Sequence, residues 1–345
     1  MGANWQFFAL LHIVVGGGLF VSVTALLIVF LRYGQRVPIK KKLPVDAAAT
    51  TGTRGLIRDF VALTKPRIIS LLLLTTLAAM LLAVDHAHPI SFGLVMWTLL
   101  GGYLAAGGAN AINMYLDRDV DALMGRTSRR PLPSSRLRPI DALIFGLLLN
   151  VLAFVVLALS SNVLAGALAI GGSIYYVLVY TRLLKRTTTQ NIVIGGAAGA
   201  VPPLVGWAAV TGHINLAALL LFAIIFYWTP PHFWALALLR RADYARAGIP
   251  MLPVAHGEAE TKWQILLYSF LMVAISVLPT PLRITGLLYL VVALGLGVWF
   301  IRLAFKLFRE PGTRMAWPLY KYSLLYLALL FGALVVDHLL MLSLA

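Results

Sequence analysis

Three aspartates, Asp117, Asp119 and Asp121, stand within five residues of one another in a chain that holds only 12 Asp and Glu among 345 residues. With Asn113 in front, the row Asn113, Asp117, Asp121 is spaced i, i+4, i+8. On a continuous helix these three stay within roughly 80° of one another along about 12 Å of one face. Asp119 turns about 200° away from Asp117, so it is expected to pair with a nearby arginine or to cap a turn. Two carboxylates and an amide in a row suit a hard divalent cation. Mg²⁺ takes oxygen ligands and is often shared between one or two carboxylates and the phosphates of a substrate. Arg126, Arg129 and Arg130 follow in sequence, and guanidinium groups suit phosphate. The combination predicts a diphosphate site, with Asp117 and Asp121 as metal ligands and Asn113 and Arg126 as further catalytic groups. The competing reading is a solvated loop whose Asp and Arg pair off, since such pairs are common and weak.

A second polar stretch, RRADYARAGIPMLP at 240–253, offers Asp243 as a catalytic candidate and Tyr244 as a substrate contact. It shares with the first a proline-leucine pattern, Arg130-Pro-Leu-Pro against Pro250-Met-Leu-Pro253. That is weak internal symmetry of the kind that brackets sites in membrane bundles. Lys65 and Arg67 flank Pro66, and Lys185 and Arg186 follow another apolar run. All four are candidates for an anionic substrate group, though a basic flank is also what topology alone produces. His232 lies within Trp-Thr-Pro-Pro-His-Phe-Trp at 228–234. Pro230 and Pro231 lack N–H donors, so a broken helix lining a cavity is expected here. An ionisable side chain at depth favours function; a hydrogen-bonded core histidine is the plain alternative. The glycines of 195–200 let helices approach closely, and Trp207 marks either an interface or a flat ligand.

These residues need a scaffold, and composition dictates which. The chain is 61% hydrophobic and 12% charged, with mean hydropathy +0.90, against about 25% charged for a soluble domain. Apolar runs long enough to cross a bilayer occur at 5–31, 68–84, 91–113, 140–158, 162–181, 190–211, 215–239, 263–279, 284–304 and 318–342. None shows the period-two alternation of a membrane barrel, so the fold class is all-α integral membrane. The net charge of +16 does not imply nucleic acid. Every Lys and Arg except Arg283 lies in or beside alternate loops, and the positive-inside rule makes those loops cytoplasmic. Both termini are then expected outside. Cysteine is absent, which excludes disulfides, thiolate nucleophiles and thiolate metal sites. Segment 5–31 has its basic flank on the C-terminal side, so it reads as a retained anchor rather than a cleaved signal. The predicted organisation is an extra helix and flank at 1–42, a linker at 43–59, and a core at 60–345.

The Asn113–Asp121 row resembles the first aspartate-rich motif of the UbiA superfamily of intramembrane prenyltransferases. Four longer stretches resemble its heme-farnesylating branch: TKPRIISLLLLTT (64–76), DRDVDALMGRTSRRPLP (117–133), YTRLLKRTTTQNIVIGGAAGAVPPLVGWAAVTG (180–212) and WTPPHFWALALLRRADYARAGIPMLPV (228–254). The resemblance spans residues 60 to about 340. It implies nine transmembrane helices around a cavity open to the bilayer, and Mg²⁺-dependent transfer of farnesyl from farnesyl diphosphate to a vinyl group of heme b. It also implies heme A synthase, the next enzyme along, as a partner; with heme as the acceptor, His232, an ionisable group at depth, is a candidate to contact it, beside its reading as a core histidine. Two features depart from the family pattern. The helix at 5–31 is extra, and Asp243 has Leu239 four residues before it and Ala247 four after, so a second DxxxD is not present.

Two other functions fit the composition. One is a prenyltransferase of the same superfamily acting on an aromatic quinone precursor, against which the stretch 228–254 argues. The other is a secondary transporter, for which broken spans are no surprise; transporters place charge near the midplane, whereas these acids gather at one surface.

Overall fold

The computed structural model describes residues 52–85 and 89–344. The anchor at 5–31 and the residues joining it to position 51 lie outside the described residues, as do His86 and His88. Everything regular within them is helical. Helix α1 (Thr53–Thr64) meets α2 (Pro66–Leu82) at a 49° bend. Then follow α3 (Phe92–Leu116), the short α4 (Arg118–Leu123), α5 (Pro139–Ser160) and α6 (Val163–Ile174), which continues as a π-helix over Tyr175–Leu184. The second half holds α7 (Asn191–Thr211), α8 (Leu216–Leu239), the short α9 (Arg241–Arg246) and α10 (Leu252–Ala255), α11 (Gly257–Val277), α12 (Leu287–Arg309) and α13 (Ala316–Leu344).

Local chemistry explains the starts and stops. Ser91, Asn162 and Asn215 cap α3, α6 and α8 by accepting from the backbone N–H three residues on, which satisfies donors that a helix start leaves open. Pro66 and Pro139 occupy first turns, where no N–H is missed. The long helices pack as a closed ring in chain order, with α13 returning to α2, while α2 also touches α7 and α8 touches α13 across the middle. Close approach depends on glycine at two points. A Cβ on Gly108 would lie 2.6 Å from the Gly146 carbonyl, where α3 meets α5, and one on Gly206 would lie 2.3 Å from the Thr76 carbonyl, where α7 meets α2.

This is an all-helical, multi-span membrane protein. Seven of the described helices are long and apolar enough to cross a bilayer, or eight with the bent pair α1–α2. The expected span at 263–279 overlaps α11, which ends at Val277 and stays outside that group; the first turns of the helix carry Glu258, Glu260 and Lys262. Two further expectations need correcting. Residues 53–59, read as linker, are the first turns of α1, whose Gly55, Asp59 and Leu63 face inward while Leu56, Ile57 and Val61 stay exposed. That pattern suits a helix lying in the membrane interface. Nor is α8 broken at Pro230-Pro231: it stays helical from Leu216 to Leu239, because surrounding helices bury Trp228, His232 and Trp234 and hold the turn in place.

Candidate active site

The row at the end of α3 survives the helix end. Asp117 is the last residue's cap, yet its N–H still donates to the Asn113 carbonyl (2.9 Å) and the Asp121 N–H to the Asp117 carbonyl (2.8 Å). The three side chains therefore stay on one face, and all three are buried. Asn113 Nδ2 donates to Asp117 Oδ2 at 2.7 Å and to Thr181 Oγ1 at 3.1 Å. Its Oδ1 accepts from Lys65 Nζ at 2.9 Å, and Lys65 also donates to Asn110 Oδ1 at 3.2 Å. Lys65 stands at the bend between α1 and α2 in a left-handed conformation, φ 57° and ψ 60°. A non-glycine residue there is strained, and such strain concentrates at functional positions.

Each acid has a basic partner. Lys185 Nζ donates to Asp117 Oδ2 at 2.5 Å, and Arg130 Nη1 to Asp121 Oδ2 at 2.6 Å. Arg186 grips Asp119 with two nitrogens, both at 2.7 Å, and lies 3.6 Å from Asp117 Oδ1. The expectation that Asp119 points away and finds an arginine thus matches the geometry. Burial disfavours charge on Lys185, but the Asp117 carboxylate outweighs it and holds the ammonium above the usual lysine range. The hydrogen bonds from Arg186, working against desolvation, hold Asp119 below the usual carboxylate range. Lys65 behaves oppositely: burial first, then Arg130 and Lys185, outweigh Asp121 and Asp117 and press its ammonium down to about 7.

Asp117 Oδ1 is buried without a hydrogen-bond partner, and a buried carboxylate oxygen left open is costly unless something occupies it. A divalent cation fits that atom, with Asp121 one turn further on. No group of three or more metal-ligating His, Cys, Asp or Glu occurs among the described residues, so a cation here would complete its shell with water, amide or phosphate oxygens, as Mg²⁺ does.

The remaining candidates are less drawn together. Arg126, Arg129 and Arg67 are exposed, and the Arg129 carbonyl accepts from Arg136 Nη2. Asp243 forms an ion pair with Arg246 three residues on in α9, and Tyr244 packs half-buried on the main core. His232 is buried in α8, stacked between Trp228 (4.3 Å) and Tyr320 (4.9 Å). Its Nδ1 lies 2.6 Å from Ser323 Oγ, which donates to the Tyr320 carbonyl at 2.7 Å. With that hydroxyl hydrogen committed, Nδ1 is the donor and Nε2 carries the lone pair.

Sequence reasoning missed Asn110, Thr181, Ser323 and the tyrosines of the π-helix. Thr181 Oγ1 donates to the Tyr176 carbonyl five residues back (2.9 Å) while accepting from Asn113. Tyr176 and Tyr180 stack at 5.4 Å and 22°, and a Cβ on Gly195 would lie 2.3 Å from the Tyr180 ring. The run of tyrosines before Lys185 was the available signal.

Residues 72–335 match the UbiA prenyltransferase family. A protoheme IX farnesyltransferase of Symbiobacterium thermophilum is 53% identical over 283 residues, 81% of this chain and 94% of that protein. Another, from Chloroflexus aurantiacus, is 53% identical over 329 residues, 93% of this chain and 56% of that protein. A third, from a Roseiflexus species, is 54% identical over 293 residues, 85% of this chain and 54% of that one. The chain thus spans little more than half the length of the Chloroflexus and Roseiflexus proteins. Among solved structures, a digeranylgeranylglyceryl phosphate synthase superposes with a TM-score of 0.68 at 19% identity, over 82% of this chain and 98% of its own. A UbiA homologue from Archaeoglobus fulgidus bound to DMAPP and Mg²⁺ gives 0.61 at 16% identity, over 81% and 99%. At those identities the likeness is one of fold. By sequence and by architecture, this chain belongs to the UbiA prenyltransferase family, on the side of its protoheme IX farnesyltransferases.

Proposed function

We propose that the chain transfers a farnesyl group from farnesyl diphosphate to a vinyl group of heme b, giving heme O. The observation that carries this reading is the cluster of Asn113, Asp117 and Asp121 with Lys65, Arg130 and Lys185 at one end of an apolar bundle. A farnesyl tail dissolves in lipid and its diphosphate does not, so a polar cluster at the membrane surface serves both ends of that substrate. The relatives from Chloroflexus, Roseiflexus and Symbiobacterium, each more than half identical, are protoheme IX farnesyltransferases, which supports heme b as the acceptor. Heme b is therefore favoured over a quinone precursor, and membership of a prenyltransferase family disfavours the transporter.

Asp117 and Asp121 would hold Mg²⁺, with Asn113 orienting Asp117. Mg²⁺ bound with the diphosphate supplies charge stabilisation to the leaving group. Lys65, Arg130 and Lys185 bind the diphosphate, with Arg67, Arg126 and Arg129 at its exposed side, and Arg186 steadies Asp117 from beyond Asp119. As the allylic C–O bond breaks, its electron pair leaves with the diphosphate, where these cations meet the developing charge. The vinyl π pair of heme then bonds to the farnesyl C1, and water captures the cation left on the inner vinyl carbon and loses a proton. The product carries a hydroxyethylfarnesyl side chain, and no protein nucleophile is needed. His232, neutral at Nδ1–H and basic at Nε2, would face the heme, with Asp243 and Tyr244 at the rim of the site.

The same reading has nine spanning helices, with α11 the ninth, the acidic end facing the cytoplasm and both termini outside. Heme O would pass to heme A synthase. Incubating membranes that contain the chain with heme b, farnesyl diphosphate and Mg²⁺, then weighing the product, tests the activity. A prenylated hydroxybenzoate with no modified heme would overturn it in favour of a quinone precursor.

A further inference from the structure

Arg130, the partner of Asp121, sits in the loop between α4 and α5, so something other than a helix must aim it. Its backbone is tied on both sides. Upstream, its N–H donates to the Thr127 carbonyl at 3.0 Å, and the buried Thr127 Oγ1 donates to the Asp121 carbonyl at 2.8 Å. Downstream, its carbonyl accepts from the Ser134 N–H at 3.1 Å and from Ser134 Oγ at 2.6 Å. Arg136 gathers that downstream side: Nη1 donates to Ser134 Oγ at 2.7 Å and Nη2 to the Arg129 carbonyl at 3.2 Å. Its remaining nitrogen, Nε, donates to both carboxylate oxygens of Asp59, at 3.0 and 3.2 Å. Between Ser134 and Arg136, Ser135 is left-handed, φ 59°. That conformation is costly for a residue with a side chain and persists only where the surroundings hold it.

Asp59 stands 77 positions before Arg136, buried on the inward face of α1. The helix does not need Arg136 to stay in place. Thr64, at its end, lies 2.9 Å from the Tyr103 hydroxyl, and the Thr64 carbonyl accepts from Asn110 Nδ2 at 3.0 Å. Phe60 packs edge-on against Phe145 at 5.0 Å. Helices α3 and α5 therefore hold α1, and what the ion pair secures is the loop. The same helix leads into Lys65, about 9 Å further along its axis from Asp59, and Lys65 Nζ reaches Asn113. We infer that Asp59 and Arg136 are positioning residues, an ion pair that fastens the basic loop to α1 so that Arg130 and Lys65, cations from separate elements, address one diphosphate. This rests on the prenyl-transfer reading above, which puts the diphosphate among those cations.

The test is the affinity of the full chain in detergent for farnesyl diphosphate with Mg²⁺, read by calorimetry. Asp59→Asn and Arg136→Gln should each weaken it at least about fivefold, part of the roughly tenfold or more that a charge-assisted contact supplies, and should leave heme b affinity alone. In an Arg130→Gln background the same changes should cost less than about twofold more, because they act through Arg130. Full additivity there, or equal loss of heme b affinity, is what a merely stabilising ion pair would give, and either would overturn the assignment. Should Asp59→Asn not fold, Arg136→Lys serves at a half-exposed position. A single ammonium can pair with Asp59 but cannot also hold Ser134 and the Arg129 carbonyl, so it should lose as much as Arg136→Gln; wild-type affinity in that variant would refute the clamp. The loop also reports without ligand. Trypsin should cut after Arg129 faster in these variants than in the wild type, and equal rates would overturn the proposal even if farnesyl diphosphate bound to none of them. Wild-type protein that binds no farnesyl diphosphate would count against the prenyl-transfer reading and leave the cleavage rates to decide the role of the pair.

Discussion

Replacing the three aspartates one at a time by asparagine separates a one-face site from a generic acidic loop. Asp117 is 1% exposed and Asp121 3%, each in a charge-assisted bond of 2.5–2.6 Å. Such bonds contribute about 1.5–3 kcal/mol where they form, and asparagine can offer neither the charge to a cation nor an anion to the lysine or arginine. If that stabilisation is lost from the transition state, kcat/KM falls about 10- to 150-fold for Asp117→Asn and Asp121→Asn, at about 1.4 kcal/mol per tenfold. Asp119 is different. Its pair with Arg186 is solvent-reached, with side chains 23% and 31% exposed, and exposed pairs are worth about 1 kcal/mol or less. It also acts only through Arg186, which stands 3.6 Å from Asp117 Oδ1. Asp119→Asn should therefore cost no more than about fivefold. The assay is the rate of farnesylated heme formation in purified, detergent-solubilised variants whose thermal unfolding matches the wild type. Three equal losses, or the largest loss at Asp119, would refute the placement of Asn113, Asp117 and Asp121 on one working face.

Lys65 gives a pH signature. Its ammonium titrates at about 7 in the free protein, against an ordinary value of 10.5, so between those values the folded state has released a proton that a bound anion would draw back. Farnesyl diphosphate binding at pH 8 should take up a proton, seen as a buffer-dependent calorimetric enthalpy. Affinity should weaken as pH rises above 7, and Lys65→Arg, which cannot titrate there, should abolish both effects. Asp337 of α13 is buried and accepts from the Gly286 and Tyr289 N–H groups at the start of α12, which has no cap of its own. Asp337→Ala should cost about 1–3 kcal/mol, read as a lower unfolding temperature in detergent; an unchanged temperature would mean water caps that end equally well. His232→Ala should change the absorption spectrum of bound heme and leave farnesyl diphosphate affinity alone, whereas a purely structural histidine would lower thermal stability and leave the spectrum as it was.

The parts of this molecule that were legible in the sequence are those written in periodicity or local spacing. Long apolar runs marked the long helices, and i, i+4, i+8 spacing put Asn113, Asp117 and Asp121 on one face because the hydrogen-bond ladder runs on through Asp117. Asp119 declared its separate role by the same arithmetic. What stayed hidden depends on tertiary packing. The π-register over Tyr175–Leu184 shifts hydrogen bonds by one residue and leaves hydropathy unchanged. Two consecutive prolines would break an isolated helix, yet α8 carries Pro230 and Pro231 without interruption, since its neighbours fix its path. The α1 turns escaped notice because their inward face is only Gly55, Asp59 and Leu63. Partners such as Lys65 with Asn113, or His232 with Ser323 across 91 positions, carry no local mark at all.

Charge explains why the site can exist inside so apolar a bundle. Asp117, Asp119 and Asp121 face Lys65, Lys185, Arg130 and Arg186, which leaves the cluster close to neutral. A buried cluster far from neutrality would be expensive, because desolvation is only repaid when each charge has a partner. A diphosphate arriving alone would compete with the carboxylates for Lys185 and Arg130 and leave Asp117 and Asp121 facing it uncompensated. A divalent cation arriving alone would strand those same bases. Brought together, anion and cation would exchange partners with the resident groups: Asp117 and Asp121 would hold the metal, Lys185 and Arg130 the phosphate, and the balance would be restored. Departure of magnesium diphosphate after transfer would then return the acids to their bases. Asp117 Oδ1, a buried carboxylate oxygen without a hydrogen bond, is where that exchange would have least to displace, and it belongs to the row that Asn113 and Thr181 hold in place.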